Sequence, residues 1–257
     1  MSTGPGSVPE GHMSRLPYRV TGAYEGLLQE FRRVVEDANQ TVSSPEAPLL
    51  SCFRPSGDNS TVTFETCLCL KNWPCKKLPR GKRLYIRIKV LEILERLGTL
   101  PNSSWGLIKS TVYLNYIVVS DASAHLAQSL HFDFVGSGQT DHPIFHVQLT
   151  DELIPEADLR GTGSDLELKL TEPSTECWVT TRIPTSDMTF ASVLYCIVAD
   201  HLGTNFFRDF AERVHSIQER LPQPSFEALK NSLQDSSLHF KSSHWFAHLR
   251  EPTQHPG

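Results

Sequence analysis

The sequence predicts an α+β fold: an antiparallel β-sheet of about five strands, with an N-terminal helix and a C-terminal helical segment packed on one of its faces. Three observations carry this. Runs that alternate apolar and polar residues cluster in the middle of the chain, roughly from Thr61 to Asp151. Runs with helical spacing stand at its two ends. No strand–helix–strand alternation recurs, which a parallel doubly wound sheet would require.

Taken in order, residues 1–17 are rich in Gly, Pro and Ser and are expected to be a disordered tail. Gly11-His12-Met13 also resembles a cloning junction, so this segment is left out of the fold reasoning. Tyr24, Leu27, Leu28, Phe31, Val34, Val35 and Ala38 then repeat at helical spacing, with Thr21 as an N-cap. Residues 40–60 carry Pro45, Pro48, Pro55 and Gly57 and read as loop. Thr61 to Leu70 alternates as a strand, with Glu65, Cys67 and Cys69 on its polar side.

From Lys71 to Lys89 the chain is basic and contains no acid. From about Arg80 to Leu97 its apolar residues fit a helix better than a strand, with Gly98 as the stop. Gly106 to Val119 is β-prone, with Val112, Leu114, Tyr116 and Val118 against Tyr113 and Asn115. Ser120 to Gln128 reads as a turn region leading into a hairpin at Ser129–Asp151. Brief strands are expected at Leu166–Leu170 and Glu176–Ile183. Helices follow on Phe190–Leu202, ended by Gly203, and on Phe206–Leu221, ended by Pro222 and Pro224, with a shorter one near Phe226–Gln234. The organisation is thus one domain over 18–235 and a partly ordered tail over 236–257.

Composition sets outer bounds on function. The 257 residues are 39% hydrophobic and 21% charged, enough for a sizeable core. The net charge of −5 and pI of about 6.1 give no bulk electrostatic case for nucleic acid. No apolar run approaches the roughly 20 residues of a membrane span, so no membrane partner is expected. Six cysteines, several inside apolar runs, and no charged-then-apolar leader make a reducing, cytoplasmic setting the expected location. Cys67, Cys69 and Cys75 lack the paired CxxC spacing of a structural zinc site.

The hairpin at Ser129–Asp151 is where chemistry concentrates. Leu130, Phe132 and Phe134, and across the loop Phe145, Val147 and Leu149, alternate with polar residues. If the apolar sets face one core, then His131, Asp133, His146 and Gln148 share the opposite face, with His142 at the loop edge. Tyr113 and Asn115 are expected on the same face, Glu65 can join them from the first strand, and Arg182 can approach as an anion clamp. Imidazoles and a carboxylate on one small surface suit general acid–base work near neutral pH, or a divalent metal as cofactor.

The expected function is therefore a hydrolase or nuclease type of enzyme acting on a phosphate-containing substrate such as RNA. His131 and His146 would serve as acid and base or as metal ligands, Asp133 would orient or ligate, and Arg182 would stabilise anionic charge. His142, Gln148, Tyr113 and Asn115 would contact the substrate. The alternative is a non-catalytic protein-interaction or regulatory module whose histidines decorate a wet sheet face. The basic stretch with Trp73 and Tyr85 suits single-stranded nucleic acid, but it reads more simply as a solvated helix face.

Overall fold

A computed structural model describes residues 18–43, 49–73, 78, 80–98, 104–120, 123–135, 145–150, 153–154, 170–171 and 188–224. The chain opens with helix α1 (Tyr18–Asp37) and closes, within these residues, with α2 (Phe190–His201) and α3 (Thr204–Gln218). Between them lies the sheet: β1 (Thr41–Ser43), β2 (Phe53–Pro55), β3 (Thr61–Trp73), β4 (Arg83–Leu97), β5 (Ser104–Ser120), β6 (Ser123–Val135), β7 (Phe145–Thr150) and β8 (Leu170–Thr171). The strand order is β1-β3-β4-β5-β6-β7, with β2 beside β3 and β8 beside β6. All pairs are antiparallel except β6 with β8.

The α+β class holds, but the sheet is larger than expected. The region read as loop before Thr61 contributes β1 and β2, which pair with β3 and are too short to show a period of their own. The stretch Ser120–Gln128, read as a turn, is mostly strand. β6 starts at Ser123 and accommodates Ala127 through a shift of register between Leu126 and Gln128.

The largest correction is Arg80–Leu97. It is the long central strand β4 rather than a helix, and Gly98, at φ 78°, ends a strand instead of capping a helix. Leu84, Ile86, Ile88, Val90 and Leu94 are buried against the helices. Tyr85 is also buried, on the other face, where it packs with Ile117, Val119 and Ala124. A strand covered on both faces loses the polar half of its alternation and so imitates a helical stripe. Its Ile and Val content fits the pleated surface. Thr21 is likewise not a cap: α1 begins at Tyr18 and buries Thr21 within its first turns.

The main core lies between the sheet and the three helices. Leu27, Phe31, Val34 and Val35 of α1 and Phe190, Val193, Leu194, Ile197 and Val198 of α2 meet Phe64, Leu68, Ile88, Val112, Leu114 and Phe132 of the sheet. Each such side chain contributes about 1.5–3 kcal/mol by leaving water. α1 and α3 approach closely at Gly26, where an added Cβ would stand 3.0 Å from Ile217 Cδ1. Arg213 of α3 ties the pair at their wet edge through Glu30 at 3.7 Å and Asp37 at 3.7 Å of α1, and is braced within α3 by Asp209 at 2.8 Å. Its guanidinium pKa is raised, chiefly by the Asp209 hydrogen bond. α2 is capped by Thr189, which accepts from the Ser192 N–H, and ends as expected at Gly203, φ 91°.

One polar group is carried into this core. Glu92 of β4 is 1% exposed. It accepts hydrogen bonds from the Tyr24 hydroxyl of α1, the Ser110 hydroxyl of β5 at 2.9 Å and the Phe190 N–H of α2 at 2.9 Å. Neutral donors from three elements thus converge on one carboxylate, and the last sits in the positive first turn of a helix.

Candidate functional site

The face of the sheet away from the helices collects the polar residues that alternation assigned to it. Register places Cys67, Lys89, Tyr113, His131 and Gln148 in one row across β3 to β7. The next row towards the β7 C-terminus is Cys69, Arg87, Asn115, Ser129 and Thr150. On the other side lie Glu65, Leu91, Thr111, Asp133 and His146. His131, Asp133, Tyr113 and Asn115 therefore share a face with Gln148 and with the backbone position of His146.

Within this surface His131 and Asp133 make the closest charged contact. His131 Nε2 lies 2.9 Å from Asp133 Oδ1, and their side chains are 19% and 7% exposed. The two atoms are at ion-pair distance but out of hydrogen-bond alignment. The contact is therefore one of proximity rather than a directed hydrogen bond. The His131 ring stacks on Tyr113, centroids 4.3 Å apart and planes at 13°. This stack fixes the imidazole plane parallel to a phenol ring. Lys89, beside Tyr113 on β4, is 24% exposed and pairs with Glu65 at 3.7 Å; Arg54 reaches the same carboxylate at 3.5 Å.

Asn115 has a different job from the substrate contact expected of it. Its Nδ2 donates to Ser129 Oγ at 2.7 Å and its Oδ1 accepts from the Ile154 N–H at 2.8 Å. This fastens residues Leu153 and Ile154 over the outer face, where Ile154 is buried with Cys67 and against Tyr113, and Leu153 packs on the Tyr85–Ile117 cluster. Asn115 and Arg87 are 0% and 2% exposed. The basic stretch is accordingly no single solvated face: Arg87 is enclosed, Lys89 is paired, and Arg83 stays exposed.

Gln148 is exposed on β7, the last strand on that side of the sheet among the described residues. Leu149, expected in the core, stands on the inner side but is 65% exposed. His142, Arg182, the Glu176–Ile183 strand and the Phe226–Gln234 helix lie outside the described residues. Among the described residues, no group of three or more His, Cys, Asp or Glu is placed to hold a metal ion, and no helix is long and apolar enough to cross a membrane. Cys67 and Cys69 are free thiols, and burial pushes the Cys69 pKa up against the opposing charges of Arg87 and Lys71.

Sequence reasoning did not single out Glu92, the most enclosed carboxylate named above. The available signal was parity: once β4 is a strand, an acid at an even position among Ile88, Val90 and Leu94 must face the core. Comparison with protein families, with curated proteins and with solved structures finds no match for this chain.

Proposed function

We propose that the outer face of β4–β7 is an acid–base site of hydrolytic type for a phosphate-containing substrate, RNA included. The observation that carries this is the half-buried His131, paired with Asp133 at 2.9 Å and stacked on Tyr113. An imidazole held in one plane on a sheet face is oriented for proton exchange with a bound water or hydroxyl. Proton exchange with substrate falls to Nδ1, since Nε2 is turned to Asp133. Lys89 stands in the same row as His131, with Tyr113 between them. An anion lying over the Tyr113 ring would meet Lys89 on one side and His131 on the other. His146 is assigned as the partner acid because its register position is opposite Asp133. Gln148 is assigned to substrate contact.

Activity of the purified protein on a phosphodiester such as bis(p-nitrophenyl) phosphate and on single-stranded RNA tests the reading. His131→Ala is expected to lower kcat by about 10²–10⁴-fold, the usual worth of a positioned acid or base. Asp133→Asn should lower it less. Lys89→Met should act mainly on KM. Unchanged turnover in His131→Ala and Asp133→Asn ends the catalytic reading.

The second reading is a non-catalytic interaction module, favoured by Leu149, an exposed apolar side chain on the terminal strand β7. It expects no turnover with either substrate. It also expects Leu149→Asp to abolish self-association seen by sedimentation.

A further inference from the structure

Along its strands the outer face of the sheet divides into two halves. Towards Tyr85, Ile117 and Val119 it is buried, and Leu153 packs there. From the row of His131 onwards it opens: Lys89, Leu91 and Ile93 of β4, Lys109 of β5 and Val135 of β6 are half-buried. Register puts these five on one face with His131 and Asp133, because side chains alternate along each strand. Ile93, Lys109 and Val135 form one row, two rows beyond that of Lys89, Tyr113 and His131.

The open half therefore has a cation at each end and the apolar Leu91 and Ile93 between them. Along β5 the two rows stand about 14 Å apart, at a strand rise of about 3.4 Å per residue. The acids of the intervening row are engaged, Glu65 with Lys89 and Arg54, and Asp133 beside His131. Lys109 differs: among the described residues its ammonium meets no carboxylate. Glu95, exposed one row further along β4, repels anions from that side and leaves the approach over Val135.

This spacing is too long for a single phosphate. A stacked nucleic-acid strand carries a phosphate about every 3.4 Å, so about four steps lie between the two lysines, fewer in an extended strand. Unstacked bases have apolar faces, for which Leu91 and Ile93 offer a surface.

We infer that the substrate of the outer-face site is a single-stranded RNA of several nucleotides. It runs along β5 from Lys89 past His131 to Lys109, where the ammonium holds a distal phosphate. The inference rests on the acid–base reading of that site and adds to it a substrate-binding residue, Lys109.

The probes are a dinucleotide and a hexanucleotide of uridine, end-labelled with fluorescein, with binding followed by anisotropy at low salt. Full-chain protein carrying His131→Ala keeps the RNA intact and serves as the background for the Lys109 variants. The dinucleotide is too short to span both lysines, and the hexanucleotide spans them. Lys109→Met keeps most of the side-chain length and removes the charge. It is expected to weaken hexanucleotide binding by about five-fold, the upper worth of an exposed charge pair. It should also flatten the slope of log Kd against log salt by about 0.7, the share of one phosphate on a single strand. The dinucleotide should lose less, and Lys109→Arg should keep both the affinity and the slope. Hexanucleotide binding that is absent, no tighter than that of the dinucleotide, or indifferent to Lys109→Met overturns the inference. The acid–base reading fails separately. Turnover of bis(p-nitrophenyl) phosphate that depends on His131, with RNA binding indifferent to Lys109, overturns the RNA path alone. RNA binding that depends on Lys109, in a protein that turns over neither substrate, supports the path and overturns the catalysis alone.

Discussion

On its inner face β4 buries Glu92, and five residues earlier, on the outer face, it buries Arg87. Both are charged residue types, and both are almost wholly enclosed. Glu92 sits in an apolar core, and its described partners come from α1, β5 and α2, so it joins helices to sheet at one point. Arg87 lies in a row of polar neighbours, Cys69, Asn115 and Ser129, of which Asn115 holds the Ile154 N–H. Among the described residues, the inner face gathers its hydrogen bonds on one carboxylate within large apolar layers. The outer face uses many polar residues under a thin cover and leaves His131 and Lys89 partly open. Enclosure of charge therefore marks architecture on one side and the border of a candidate site on the other.

The sharpest way to break this contrast is at Glu92. Glu92→Ala strands the donors of Tyr24, Ser110 and Phe190 and opens a hole in the core. The expected loss is about 3–5 kcal/mol of unfolding free energy, measured by urea denaturation. Tyr24→Phe removes one of the three donors and should cost about 1–3 kcal/mol, since the lost bond is to a charged group. A loss under about 1 kcal/mol in Glu92→Ala, less than one charged hydrogen bond is worth, would show that the carboxylate is a passenger of the core.

Asn115→Ala is the matching test on the outer face. It leaves the buried Ile154 N–H and the Ser129 hydroxyl without the Asn115 side chain. An expected cost of about 1–3 kcal/mol follows from one or two orphaned buried groups. The more informative readout is local: hydrogen exchange at Ile154 should accelerate while the amides of α2 keep their protection. Equal acceleration on both faces would mean that the cover and the core open as one unit.

Much of this was readable in residue order. Alternation alone put His131, Asp133, Tyr113 and Asn115 on one face, because side-chain parity is fixed by the strand and needs no tertiary knowledge. The helices α1, α2 and α3 were legible for the same reason, each with a wet side. What failed was β4. Tyr85, Leu91 and Ile93 interrupt Arg87 and Lys89 at the odd positions, so its outer side carries only part of the polar marking that would separate a period of 2 from 3.6. With β4 misread, Glu92 drew no notice and Arg87 counted among the cations of a solvated helix face. The cover at Leu153–Ile154 was illegible too. It depends on an Asn115 hydrogen bond spanning 39 residues, and no local pattern announces such a contact.

The smallest expected effect lies at Cys69, at the β3 end of the row that holds Arg87 and Asn115, and it tests whether that face is truly dry. Burial raises the thiol pKa above its ordinary 9.0 in the folded chain. The sign follows from linkage. Below 9.0 the thiol is protonated in both states and contributes no pH dependence. As pH climbs past 9.0 the unfolded chain releases this proton first, so the folded state loses stability until the raised pKa is reached. The slope from one proton is at most about 1.4 kcal/mol per pH unit. Cys69→Ala lacks this term and carries only a constant packing cost, so the stability gap between wild type and Cys69→Ala should narrow as pH rises above 9.0. Urea midpoints at several alkaline pH values measure it, and the subtraction removes the parallel contribution of Tyr195, which both proteins share. A gap that stays constant would mean that water reaches Cys69, and that the cover over Arg87 and Asn115 is open in solution.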